Sequence, residues 1–200
     1  ATATYDGKEH EAVGVETYEF TVEGNSYTVS GLSTEDPKQK DAGSYTNNIT
    51  GTPVVTDKEG NVVTSEFEVK TENGSLEIGK AAVTLKSATL SKKYDGNALV
   101  NGDTALEIES GFAEGEGATY NFTGSQTVVG SSANAFSYEL NGNTNIDNYE
   151  ISKQEGTLTV TNREAKYEIT VKANSATATY DGKEHEAVGV ETYEFTVEGN

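Results

Sequence analysis

The chain has 200 residues, 34% of them hydrophobic, a formal charge of −19, and no cysteine, methionine or tryptophan. Acids spread along the whole length repel nucleic acid and anionic membranes, and without cysteine there is no disulfide, thiolate metal site or cysteine nucleophile. No apolar run reaches membrane-spanning length, and the richness in Thr, Val, Tyr, Ser, Asn and Gly favours strands joined by tight turns.

The chain opens on ATATYDGKEHEAVGVETYEFTVEGN, and residues 176–200 repeat residues 1–25 at every position, an offset of 175. Tandem duplication is the simplest source of such identity. The absence of Met agrees with a processed piece or a window of a longer chain. On that reading Asn200 continues as Asn25 does, with Ser-Tyr-Thr-Val-Ser-Gly-Leu. A weaker repeat lies inside the period: Tyr5-Asp6-Gly7 recurs as Tyr94-Asp95-Gly96 and as Tyr180-Asp181-Gly182. In the same order along the chain Gly24, Tyr27 and Gly31 align with Gly117, Tyr120 and Gly124. Phe67, Val69, Gly74, Leu76 and Ile78 align with Tyr149, Ile151, Gly156, Leu158 and Val160. The expected organisation is a module A over 1–80 lacking its first strand, a complete module B over 81–163, and the start of the next A over 164–200.

In chain order, Asp6-Gly7 reads as a turn with Gly at positive φ, its Tyr5 packing on the module core or a neighbour. Tyr18-Glu-Phe20-Thr-Val22 and Tyr27-Thr-Val29 flank Glu23-Gly24-Asn25-Ser26 as a hairpin. A helical turn is expected near Ser33–Lys40, ended by Asp41-Ala-Gly43. At Asp41-Ala-Gly43-Ser-Tyr45 the Tyr hydroxyl is expected to bond backbone and fix the corner, as in Ig-like sandwiches. Phe67-Glu-Val69 and Leu76-Glu-Ile78 flank Asn73-Gly74 as a second hairpin. Tyr149-Glu-Ile151 and Leu158-Thr-Val160 flank a third, and Tyr167-Glu-Ile169-Thr-Val171 reads as the opening strand of the next A. Lys86, Lys166 and Lys172 sit on strands and are donors for an isopeptide bond if buried, although strand lysines usually face solvent. The fold class is therefore all-β, or β-rich with at most a short helix: tandem small modules, each a β-grasp-like sheet or Ig-like sandwich. Aromatic cores are expected from Tyr18, Phe20, Tyr27, Tyr45 and Phe67 in A, and from Phe112, Tyr120, Phe122, Phe136, Tyr138 and Tyr149 in B.

Tyr-Asp-Gly at the start of a module, Asp41-Ala-Gly43-Ser-Tyr45 in its middle and Gly-Ser/Thr-Leu-x-Ile/Val at its end resemble the YDG/MBG-type repeats of bacterial surface adhesins. Module B is the closer match, through Thr123-Gly-Ser-Gln126-Thr-Val-Val-Gly130-Ser and Gly156-Thr-Leu158-Thr-Val160-Thr. Module A departs from that pattern in its middle. The resemblance implies an extracellular, cell-surface protein with a stalk or adhesive role, and it brings no catalytic residues.

The remaining chemistry is sparse. His10 and His185 occupy one position in two copies, and each supplies one ligand of the three or four a metal needs; a solvated strand-edge His is the preferred reading. No nucleophile-elbow pattern accompanies them. Asn143, Asn145 and Asp147 offer oxygens at alternate positions, the kind calcium takes, but only one acid precedes Glu150, and a solvated loop is preferred. No cofactor is expected. The expected partners are neighbouring copies of the repeat, and host or bacterial surfaces. The expected function is a structural repeat of a long surface filament; the alternatives are a strand-donating subunit of a fibre, or a module binding glycans or host proteins. That last reading requires an exposed aromatic cluster in a groove, whereas every Tyr and Phe can be assigned to a core.

Overall fold

The computed structural model describes residues 1–102 and 105–197. Strands hold 44% of the chain and helical turns 3%, so the fold is all-β, with open sheets. The strands are β1 (Thr2–Thr4), β2 (His10–Glu11), β3 (Glu19–Val22), β4 (Asn25–Thr34), β5 (Lys38–Gln39), β6 (Gly43–Asn47), β7 (Ile49–Asp57), β8 (Gly74–Gly79) and β9 (Ala81–Lys86). They continue with β10 (Leu90–Lys93), β11 (Leu99–Val100), β12 (Ile108–Ser110), β13 (Ala118–Phe122), β14 (Ser125–Gln126), β15 (Gly130–Ala133), β16 (Phe136–Leu140), β17 (Tyr149–Gln154) and β18 (Thr157–Thr161). Two compact units form. The first takes Ala1–Ser87, Ala105–Asn121 and Ser137–Gln154; the second takes the described residues of Ala88–Thr104, Phe122–Phe136 and Glu155–Asn200.

In the first unit, β8 is the centre of a sheet ordered β1-β8-β6. β1 runs parallel to it with Thr2 opposite Glu77, and β6 antiparallel with Tyr45 opposite Leu76. Alternation decides which face is dry: Leu76 and Ile78 are buried while Ser75 and Glu77 are not. A second sheet, β3-β4-β7, starts from the expected hairpin. Its turn is only Glu23 and Gly24, at φ 48° and 83°. Positive φ at both positions is what a two-residue turn needs to match strand twist. β4 and β7 slip register between Ser30 and Leu32. There Gly31 and Gly51 come so close that a Cβ on either would lie 2.3 Å from a carbonyl oxygen of the other strand. The third sheet is β12-β9-β17, with Val83 and Leu85 of β9 buried.

The second unit contains a sheet ordered β10-β18-β15, with the same senses as β1-β8-β6: β10 parallel to β18, and β15 antiparallel. Leu158 and Val160 are its buried pair, beside Phe136 stacked at 5.7 Å on Phe122. The small pair β11-β14 likewise repeats the pairing β2-β5 of the first unit. Gly43-Ser44 of β6 and Gly130-Ser131 of β15 hold corresponding places, so the apparent departure in the middle of the 1–80 segment is a matter of side chains and not of ladder.

Each of these ladders is followed by a buried asparagine, Asn47 and Asn134. The Asn47 amide accepts from the Asp36 N–H at 2.9 Å and donates to the Ala12 carbonyl at 3.4 Å. Asn134 donates to the Ala88 carbonyl at 2.9 Å and to Asn101 Oδ1 at 2.7 Å.

Several expectations fail. No helix forms at Ser33–Lys40: Thr34 ends β4 and Lys38-Gln39 pair with β2. Phe67–Val69 and Leu76–Ile78 do not form a hairpin, because 67–73 lie outside every strand. Tyr149–Ile151 and Leu158–Val160 do form strands, but β17 pairs with β9 and β18 with β10 and β15. Tyr167–Val171 is not a strand, and Ile169 is 54% and Val171 55% exposed. Alternation identifies a strand-forming segment; it carries no information on its partner, and a short link joins two sheets as readily as it closes a hairpin. Removing the amide of either buried asparagine strands backbone groups inside the fold. Asn47→Ala and Asn134→Ala are each expected to lower stability by about 1–3 kcal/mol, measured by denaturant unfolding.

Candidate functional site

The most densely connected cluster of side chains lies in the first unit, where the residue after β1 meets the segments around β17. The ladder β1/β8 continues one residue further, with the Tyr5 N–H bonded to the Gly79 carbonyl at 2.8 Å. That places the Tyr5 ring, 4% exposed, edge-on to Tyr149 at 5.3 Å; Phe112 meets Tyr149 from another side at 5.2 Å. One carboxylate joins the phenols: Glu116 accepts from Tyr5 Oη at 2.5 Å and from Tyr149 Oη at 2.8 Å. The Ala113 N–H donates to Tyr149 Oη at 3.0 Å. Burial, then the Glu116 carboxylate, pushes the Tyr5 phenol well above the usual tyrosine range; burial raises Tyr149 as well.

A second contact sits beside it. Buried Asn148 accepts from the Ala42 N–H and donates to Asp41 Oδ1, both at 2.8 Å. Tyr45 Oη donates to the Asp41 carbonyl at 3.0 Å, the corner bond expected from sequence. The Asp6-Gly7 turn also forms as expected, with Gly7 at φ 79°. Asp6 accepts from the Lys8 N–H and from His10, both at 2.9 Å, and is held below the usual carboxylate range by the Lys8 N–H first.

The second feature is a groove on the apolar face of β3-β4-β7. Tyr18, Phe20, Tyr27, Val29 and Val55 face one side of this sheet by register. Phe67 covers part of it, its ring edge-on to Tyr27 at 4.8 Å. The rest is open: Tyr18 is 50%, Phe20 45% and Val22 43% exposed. Two adjoining cavities of about 390 and 200 Å³ run between β3 and residues 67–74. The assignment of Tyr18 and Phe20 to a core is therefore corrected: their face is apolar, but the described residues leave both about half exposed. Of the other expected core aromatics, Phe136 and Tyr149 are buried, and Tyr27, Tyr45, Phe67, Phe112, Tyr120, Phe122 and Tyr138 are partly buried.

The sequence-derived candidates do not converge. Asn145 Oδ1 caps a helical turn by accepting from the Asp147 N–H at 3.0 Å. Asn143 donates its amide to the Gly115 carbonyl at 2.8 Å, and Asp147 is exposed. Among the described residues no group of three or more His, Asp or Glu is arranged around a metal position. His10 lies in β2 and His185 outside any strand; each meets the aspartate four residues before it at 2.9 Å. Lys86 is ion-paired to Glu107 at 3.1 Å, Lys172 to Glu191 at 2.8 Å, and Lys166 is exposed, so none is a buried donor beside an amide. Sequence reading passed over Glu116, Asn148 and the buried asparagines. The recurrent Gly-Ser-x-x-Asn of 43–47 and 130–134 was the available signal for the last.

Tyr5 and Tyr180 hold the same place in identical sequence, yet Tyr180 is 93% exposed. Tyr5→Ala is expected to cost about 3–5 kcal/mol, as for a buried aromatic, and Tyr180→Ala less than about 0.5 kcal/mol, both by denaturant unfolding. A raised phenol pKa stabilises the fold fully below the ordinary value of about 10, and that contribution is lost as pH rises further, because only the unfolded tyrosines ionise readily. Unfolding curves at stepped alkaline pH are expected to show stability falling above about pH 10, with a shallower fall in Tyr5→Phe. Comparison with protein families, curated proteins and solved structures returned no match for this chain.

Proposed function

We propose that the chain is a structural repeat unit, with a period of 175 residues, from a long extracellular bacterial surface filament or adhesin stalk. The observation that carries this reading is the recurrence of one design: a strand before Tyr-Asp-Gly, parallel to a Leu-x-Ile/Val strand that is flanked by a Gly-Ser strand, met at β1-β8-β6 and β10-β18-β15. The identity of residues 1–25 with 176–200 extends the recurrence beyond one period. On this reading the protein is not an enzyme; its work is reach, and its partners are neighbouring copies.

The exposed Tyr18 and Phe20 favour a second reading, an adhesive module that takes a glycan or a host protein on an aromatic floor. Glycan-array binding that is lost in Phe20→Ala would support it.

The array reading is tested with chains of one, two and three periods joined at the natural seam, Asn200 followed by the sequence from Ser26. Small-angle scattering is expected to show the maximum dimension rising by equal increments per period. A radius of gyration that grows only as roughly the 0.38 power of length, as in a single globule, would overturn it.

A further inference from the structure

We propose that the groove on β3-β4-β7 is the acceptor for a β-strand, and that its occupant is the Tyr167–Val171 segment of another copy of this chain. The proposal rests on the repeat reading for the identity of the donor. Residues 81–93 show what a filled groove looks like. There β9 runs parallel to β17, with Ala81 opposite Tyr149, Val83 opposite Ile151 and Leu85 opposite Lys153. After the link Ser87–Thr89 the chain resumes as β10, parallel to β18. The 1–80 segment shows the counterpart of the second half of this arrangement. β1 runs parallel to β8, but Phe67–Thr71, which correspond to Tyr149–Lys153, belong to no ladder. These residues line the groove whose other wall exposes Tyr18, Phe20 and Val22.

A matching segment is present elsewhere in the sequence. Aligning Tyr180 with Tyr94 places Tyr167, Ile169 and Val171 where β9 has Ala81, Val83 and Leu85. Those three β9 residues are buried, whereas Ile169 and Val171 are more than half exposed. The link is conserved in length: Ser87, Ala88 and Thr89 precede Leu90, and Ala173, Asn174 and Ser175 precede Ala176, the counterpart of Ala1. The first residue of the chain already sits at the ladder's end, its ammonium donating to the Ser75 carbonyl at 2.8 Å.

Carrying the β9/β17 register over sets Tyr167 opposite Phe67, Ile169 opposite Val69 and Val171 opposite Thr71. Alternate side chains then point onto the apolar floor, as strand geometry requires, and Lys172 stands beside Glu72. The unladdered backbone of 67–71 favours a strand over a sugar, since main-chain bonds supply the affinity in strand addition. The contact is head-to-tail, so it propagates into open chains of subunits; within a longer polypeptide the same slot takes the strand that precedes each copy.

Three measurements on the full 200-residue chain test this. Mass from light scattering is expected to rise with concentration above that of one chain, and Ile169→Glu is expected to weaken association at least about tenfold by placing a charge on the apolar floor. A variant with residues 164–175 fused ahead of Ala1 is expected to stay monomeric and melt at a higher temperature, its groove filled in the natural order. Finally, because the chain has no cysteine, a Val69→Cys chain mixed with an Ile169→Cys chain is expected to give a disulfide heterodimer, faster than Glu59→Cys with Ile169→Cys. Monomers at every concentration together with a fused variant no more stable than the parent would overturn the proposal. So would a single chain carrying both cysteines that closes only on itself, or a glycan that occupies the groove while a synthetic 164–175 peptide does not. Failure of the multi-period chains to extend in scattering would count against the array alone, since none of these three readouts depends on overall length.

Discussion

The pairing on which the rest of this protein depends is the parallel ladder between the strand before Tyr-Asp-Gly and the strand with the Leu-x-Ile/Val pattern. Thr2 meets Glu77 in one instance and Ser91 meets Thr159 in the other. Partners this far apart in sequence must close a long loop before any contact rewards them. The compensation is burial: Leu76 and Ile78, or Leu158 and Val160, lose nearly all contact with water, and each such side chain contributes about 1.5–3 kcal/mol. Asn47 and Asn134 then tie the strand that flanks each ladder to the loop across from it.

The ladder also positions the tyrosine cluster. Running β1 one residue past its strand delivers the Tyr5 ring to Tyr149 and its hydroxyl to Glu116. Two phenols sharing one carboxylate make a directional contact, and an edge-to-face aromatic pair adds about 0.5–1.5 kcal/mol beyond its area. Residues 67–73, which lie in no strand, line the groove beside β3. A bound strand there would convert an exposed apolar face into an interior. The Tyr5 cluster thus follows from the direction of one strand.

Much of the local design was legible in the residues. The Glu23-Gly24 turn follows from what Gly tolerates, and the Tyr45 hydroxyl bond from a known corner geometry. Alternation correctly marked β3, β4, β8, β17 and β18. It could not say which strands pair. Two hairpins drawn from adjacency were wrong: residues 67–73 form no strand, and β17 and β18, two residues apart, belong to different sheets. Nor could it say that Tyr18 and Phe20 would remain open, since an apolar face looks the same in sequence whether or not a second layer lies upon it. Glu116, one acid among 33 acidic residues, carried no mark of its role; only the fold brings two phenols to it.

The two copies of one 25-residue sequence separate the two kinds of information. In both, the Asp-Gly turn forms alike: Gly7 at φ 79° and Gly182 at φ 76°, with a histidine 2.9 Å from the turn's aspartate in each. These contacts span a few residues, so the segment determines them unaided. Thr2–Thr4, His10–Glu11 and Glu19–Val22 are strands, while the described residues 177–197 form none, and Tyr5 is buried where Tyr180 is exposed. The last three residues of the second copy lie outside the described residues. A turn satisfies its own backbone through hydrogen bonds close at hand, whereas a strand must find its donors and acceptors on another strand. The sequence by itself determined the turns and the strand-forming potential. Tertiary structure decided which potential became a strand, because only β8, β5 and β4 supply the partners.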